Sequence, residues 1–139
     1  MGVDVAQMAK DIQAIISGAI TCPAYCGEAP RNSDGAIKVE PPFVAYTYMP
    51  NSSVSEDETL SISLYLDVWA LNDYGEALSI AAALDDALNG TIYDKPSGVF
   101  FCDRDGAIMQ RMERDPADER IRRVTGQYVA RFAPYIKEV

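Results

Sequence analysis

At 139 residues, 48% of them apolar and spread along the whole length, the chain has room for one packed domain and too much apolar content for a disordered one. Twelve Lys and Arg against 21 Asp and Glu give a net charge of -9 with no histidine, which argues against sequence-independent binding to DNA or anionic lipid and removes every Ser-His or Cys-His nucleophile pair and every imidazole ligand. The acidity is uneven: residues 1–100 hold four basic and 14 acidic side chains, residues 101–139 eight and seven.

Val5, Met8, Ala9, Ile12, Ile15, Ile16 and Ala19 recur at three-and-four spacing and predict a one-faced helix ending near Gly18, ahead of Pro23. Asp4, Lys10 and Asp11 interrupt this stretch, unlike the apolar core of a signal peptide. No run approaches the ~20 apolar residues of a membrane span. Cys22, Cys26 and Cys102 are too few for a disulfide framework and fit a reducing compartment, so a cytoplasmic setting is expected. Cys22 and Cys26 lack a second ligand pair and do not make a zinc pattern. Residues 22–42, with four prolines and "RNSDG", predict a loop with a short extended piece at 36–39. "FVAYTYM", 43–49, predicts a strand that stops at Pro50, and "NSSVSEDE", 51–58, is an acidic connection.

From Leu60 to Ala70 the alternation is strict, with Leu60, Ile62, Leu64, Leu66, Val68 and Ala70 on one face and Ser61, Ser63, Tyr65, Asp67 and Trp69 on the other. The apolar face is expected to meet the helices. Asp73 as N-cap, with Glu76 three residues later, then opens a helix over 74–88 whose stripe is Tyr74, Ala77, Ala81, Leu84 and Leu88, with Asn89-Gly90 as its stop. Asp85 and Asp86 fall on its polar side. After a turn at "KPSG", "VFFCDRDGAIMQRM" predicts two short strands in a hairpin around Asp105-Gly106. A last strand, "RIRRVTGQYVARFA", places Val124, Tyr128, Ala130 and Phe132 on one face. The expected fold is α+β in the order α-β-β-α-β-β-β: a largely antiparallel sheet ending in a three-stranded meander, two helices on one face, and a single domain over 1–139.

Chemistry is nearly absent. Cys102 on an alternating strand reads as a small buried hydrophobe. "DRDG", taken as a calcium loop, would put Phe101 and Met112 at ligand positions that must be acidic, so a turn is the reading. No phosphate-binding glycine loop or HExxH motif occurs. A carboxylate metal site drawing on Asp67, Asp85 or Asp94 is the only enzymatic alternative. No catalytic, metal-binding or cofactor-binding residue is assigned, and no cofactor is expected. What remains is the second face of the 60–70 strand, where Tyr65 and Trp69 flank Asp67 like an interface stripe, unless a loop or the amino-terminal helix covers it.

The run of an amino-terminal helix, a loop, "PPFVAYTYMP", an acidic loop, "LYLDVWALNDYGEALSIAAALDDAL" and a final β-rich segment resembles the tail terminator or tail completion (head-tail joining) proteins of long-tailed bacteriophages and prophages. The resemblance spans roughly Val5 to Phe132 and is most specific from Asp67, Val68 and Trp69 into Tyr74, Glu76 and Ala77. It implies a non-enzymatic protein of the virion tail, assembled in the host cytoplasm as a homo-oligomeric ring, typically a hexamer. The ring would cap the tail tube protein, meet the head-side connector protein and pass DNA without specific binding; an acidic channel would repel the phosphate backbone. A neck or head-closure protein of the same particle, and a monomeric acidic adaptor or inhibitor, are the alternatives. Candidate interface residues are Tyr65 and Trp69, the acidic loop Ser55, Glu56, Asp57 and Glu58, which is expected to order against a neighbour, and the basic pair Arg122 and Arg123.

Overall fold

The computed structural model describes residues 5–35, 39–50, 60–96, 98–106, 111–114 and 120–133. The chain runs α1 (Val5–Ala19), β1 (Ala24–Cys26), β2 (Phe43–Pro50), β3 (Leu60–Leu71), α2 (Tyr74–Leu88), β4 (Thr91–Lys95), β5 (Gly98–Arg104), β6 (Arg111–Arg114) and β7 (Ile121–Ala133). The strands form one seven-stranded sheet in the order β1-β2-β3-β7-β5-β4, with β6 also paired to β7. Only β1 with β2 is parallel. This is the expected α+β class and element order, with β1 and β4 added.

Alternate residues of β3 from Leu60 to Ala70 are buried, as the pattern required, and Ile62, Leu64 and Ala70 are fully enclosed. Residues opposite one another in a ladder share a face, so β3 sets the side of its neighbours. Leu64 brings Tyr128 inward, Val68 brings Val124, and Leu66 brings Tyr46. Onto this layer α1 lays Met8, Ile12, Ile15 and Ile16, and α2 lays Ala77, Ala81, Leu84 and Leu88. α2 lies across β3, β7 and β5, while α1 packs beside α2 and against β1. The Tyr46 hydroxyl donates to Gln13 Oε1, and Gln13 Nε2 donates to the Ala24 carbonyl at 3.2 Å, tying α1 to both strands.

The corner between β3 and α2 is built locally. Asn72 takes a positive φ of 61°, and its N–H donates to the Arg120 carbonyl at 2.6 Å. Asp73 is extended, and its carboxylate accepts the Gly75 N–H at 2.7 Å. A Cβ at Gly75 would stand 2.9 Å from that oxygen, so glycine makes room for the cap. At the other end the Asn89 N–H bonds the Asp85 carbonyl, and Gly90 at φ 68° turns the chain into β4.

Two expectations are corrected. Among the described residues β5 and β6 do not pair as a hairpin around Asp105-Gly106, so the expected three-stranded meander does not form there. β3 occupies one edge of β7 along its length, and β5 and β6 share the other, β5 against 128–133 and β6 against 122–125. Gly106 has the positive φ a turn favours, 92°, yet the Asp105 N–H continues the ladder by donating to the Gln127 carbonyl at 2.8 Å. β5 and β6 thus take successive stretches of the same β7 edge, because a 13-residue β7 offers more edge than β5 fills. Asp85 is likewise not on a solvated face. It is buried toward the sheet, where the Tyr128 hydroxyl donates to it at 2.8 Å and Arg104 at 2.9 Å. The extended piece expected at 36–39 falls largely outside the described residues.

Burial pushes the Cys102 thiol up to about 12 and raises Tyr46 and Tyr128, the latter with help from the Asp85 carboxylate. The half-buried Cys22 thiol is raised too, again first by burial. Each folded-state value lies above the unfolded one, so the stabilisation is complete below the unfolded values and is lost as pH rises past them, about 8.5 for Cys and 10 for Tyr. Urea titrations across this range should show the unfolding free energy falling from about pH 9, by up to ~1.4 kcal/mol per pH unit for each group. Cys102→Ala should weaken the onset and leave the tyrosine phase. A flat profile into the tyrosine range contradicts the buried, neutral placement.

Candidate functional site

Both helices lie on one side of the sheet, so the other side is the candidate site. Ladder register lays out its rows. Phe43, Trp69 and Arg123 stand side by side, then Ala45, Asp67 and Thr125, then Thr47, Tyr65 and Gln127. Next come Met49, Ser63, Val129 and Asp103, and last Ser61, Arg131, Phe101 and Ile92. Of the five large hydrophobic residues exposed among the described ones, four are on this face: Met49, Tyr65, Ile92 and Phe101.

The first row is held by ring and charge contacts within the chain. The Trp69 ring stacks on Phe43 at 5.2 Å and 22°, and Phe43 meets Tyr25 edge-on at 6.0 Å. The Arg123 guanidinium lies 4.4 Å over the indole and holds both oxygens of Asp67, through Nε at 3.3 Å and through Nη2. This is a bidentate pair capped on an aromatic ring, a geometry that suits Arg and not Lys. Trp69 Nε1 is buried without a hydrogen-bond acceptor. Beside this cluster lies a trough of about 300 Å³, walled by Gly27, Ala45, Thr47, Tyr65, Asp67 and Thr125. Its small side chains leave Tyr65, 40% exposed, standing at the rim.

The structure brings some of the expected residues together and separates others. Tyr65 and Trp69 share the open face, but Trp69 is half-covered by its own chain while Tyr65 is free to meet a partner. Arg122 and Arg123 point to opposite faces, as consecutive strand residues must. Arg122 reaches the helix side, its guanidinium 5.7 Å over the Tyr74 ring, so the pair is not one basic patch. Ser55, Glu56, Asp57 and Glu58 lie outside the described residues. Asp85 is on the helix side while Asp67 and Asp94 are on the open face, so these carboxylates do not converge. Among the described residues no three His, Cys, Asp or Glu side chains are grouped to hold a metal ion. Nor is any helix there long and apolar enough to cross a membrane. Met49, Ile92 and Phe101 were absent from the expected interface. Ile92 sits in the unforeseen β4, and in β5 Phe100 and Phe101 put an aromatic ring in each alternating set, with Asp103 in one and Arg104 in the other, so alternation did not single out the solvent face.

Because Trp69 is packed, Trp69→Ala should lower stability by about 2 kcal/mol, below the 3–5 of a fully buried Trp. It is therefore a poor probe of association alone. Urea unfolding followed by far-UV circular dichroism checks this, and an unchanged midpoint would mean the stack with Phe43 contributes nothing. Tyr65→Asp should leave the unfolding free energy within about 0.5 kcal/mol of wild type, as for an exposed position.

No protein-family model and no curated protein matches the sequence. Among solved structures, the fold is similar to that of a chain from the particle described as "Virion of native gene transfer agent (GTA) particle", with 17% identity, 94% of each chain covered and a TM-score of 0.54. A second solved chain, 13% identical, corresponds over 96% of this chain and 95% of its own length at a TM-score of 0.50. At these identities the likeness is one of fold.

Proposed function

We propose that the chain is a non-enzymatic structural subunit of a phage-like particle, assembled as a ring that caps the tail tube and joins it to the head-side connector. The observation that carries the reading is the fold correspondence along nearly the whole of both chains with a component of a virion particle. The sequence resemblance to tail terminator proteins points to the same class of particle by a separate route. An open sheet face with exposed Tyr65, Ile92 and Phe101 suits a part that works by contact. The net charge of -9 suits a lumen through which DNA slides without sticking. In this reading the partners are further copies of the chain, the tube protein and the connector, and the protein belongs to the virion tail after assembly in the host cytoplasm.

Deleting the gene from the element that encodes it tests the proposal. Electron microscopy should then find DNA-filled heads beside unattached tails of irregular length. Unattached tails of normal length would favour a neck or head-closure role instead. Intact particles would end the structural reading.

A further inference from the structure

At the β5-β4 end of the open face, Phe101 (42% exposed) and Ile92 (64% exposed) stand side by side. Arg131 is the other cross-strand neighbour of Phe101, Asp103 lies opposite Val129 in the next row, and Asp94 follows Ile92 on the same face of β4. Among the described residues Arg131, Asp94 and Asp103 make no ion pair within the chain. An apolar pair is thus bordered by one cation and two anions left unmatched in the monomer.

We infer that this patch is a self-association surface on which a second copy seats the same patch across a two-fold axis. Two copies of a chain with net charge -9 repel one another on most approaches. Here one Arg and two Asp leave only 1 − 2 = −1, with both signs present. A two-fold contact uses each pairing twice, so Arg131 of each copy meets an Asp of the other while Phe101 and Ile92 close between them. A strongly acidic or strongly basic partner would match only part of the patch. A ring needs head-to-tail contacts between two different patches, whereas this contact closes on itself. The inference therefore goes beyond the ring and fails separately from it.

Sedimentation of the full chain at concentrations up to on the order of 100 µM is the test. A reversible dimer is expected. Phe101→Asp and, separately, Arg131→Glu should each raise its Kd by about tenfold or more, with circular dichroism melts showing that both variants stay folded. Arg131→Glu combined with Asp103→Arg should bring Kd back to within about threefold of wild type, because the exchanged charges still meet across the axis. A wild-type chain that is monomeric throughout, a dimer indifferent to Phe101→Asp, or a double variant no tighter than Arg131→Glu would each overturn the inference. A closed ring that survives all three variants would overturn it too, and would leave the proposed function standing.

Discussion

Leu66→Ala is expected to lower the unfolding free energy by about 2 to 5 kcal/mol, toward the upper end. Leu66 is 4% exposed, and its β7 neighbour is Gly126, which has no side chain to move into a vacated space. On its helix side Leu66 already borders a void of about 10 Å³ shared with Val68, Ala81, Leu84, Val124 and Tyr128. Truncation would enlarge that void, and a cavity that cannot collapse loses both the transfer free energy and the surrounding dispersion contacts. Urea unfolding followed by the fluorescence of Trp69, the chain's only tryptophan, should show a lower midpoint at an unchanged slope. Thr47→Ala, on the open face, should stay within about 0.5 kcal/mol of wild type. Equal losses at the two positions would mean that the phase of the sheet is wrong.

Asp85→Ala should cost about 3 kcal/mol, because it strands two partners at once. The buried Tyr128 hydroxyl loses its acceptor, and the Arg104 guanidinium loses its counter-charge. The Arg104 side chain keeps 30% of its surface in solvent, which holds the loss at the lower end for a broken buried pair. Adding Tyr128→Phe should recover part of it by removing the unsatisfied hydroxyl. A double-mutant cycle between the two positions should therefore show coupling of about 1 to 3 kcal/mol, and simple additivity would contradict the shared hydrogen bond.

How far these features could be read beforehand follows from their range along the chain. β3, α1 and α2 carry their own periodicity, so their bounds and most of their buried residues were visible in residue spacing, although Val5 on the expected apolar face of α1 is exposed and Asp11 and Asp85 are buried. β1 is three residues long and pairs only with β2, and β4 is a five-residue pair to β5, too short for a pattern to separate from loop. Asp105-Gly106 reads as a tight hairpin in the sequence, but whether such a dipeptide reverses the chain depends on how much edge of β7 is available, which is a property of the assembled sheet. The same holds at the site. Trp69 looked exposed because the ring that covers it belongs to Phe43, brought alongside only by the β2–β3 register. Asp85 looked solvated because Arg104 and Tyr128 lie 19 and 43 residues away. The opposed directions of Arg122 and Arg123, by contrast, were implicit in strand alternation.

The central claim, a ring-forming cap on a tail tube, is tested most directly by electron microscopy of tubes polymerised from the tube protein of the same particle, with and without this chain. The expected result is a single ring at one end of each tube, hexameric if the family resemblance holds, and tubes that stop growing once capped. Tubes that lengthen unchanged, with the chain free or scattered along their sides, would contradict it.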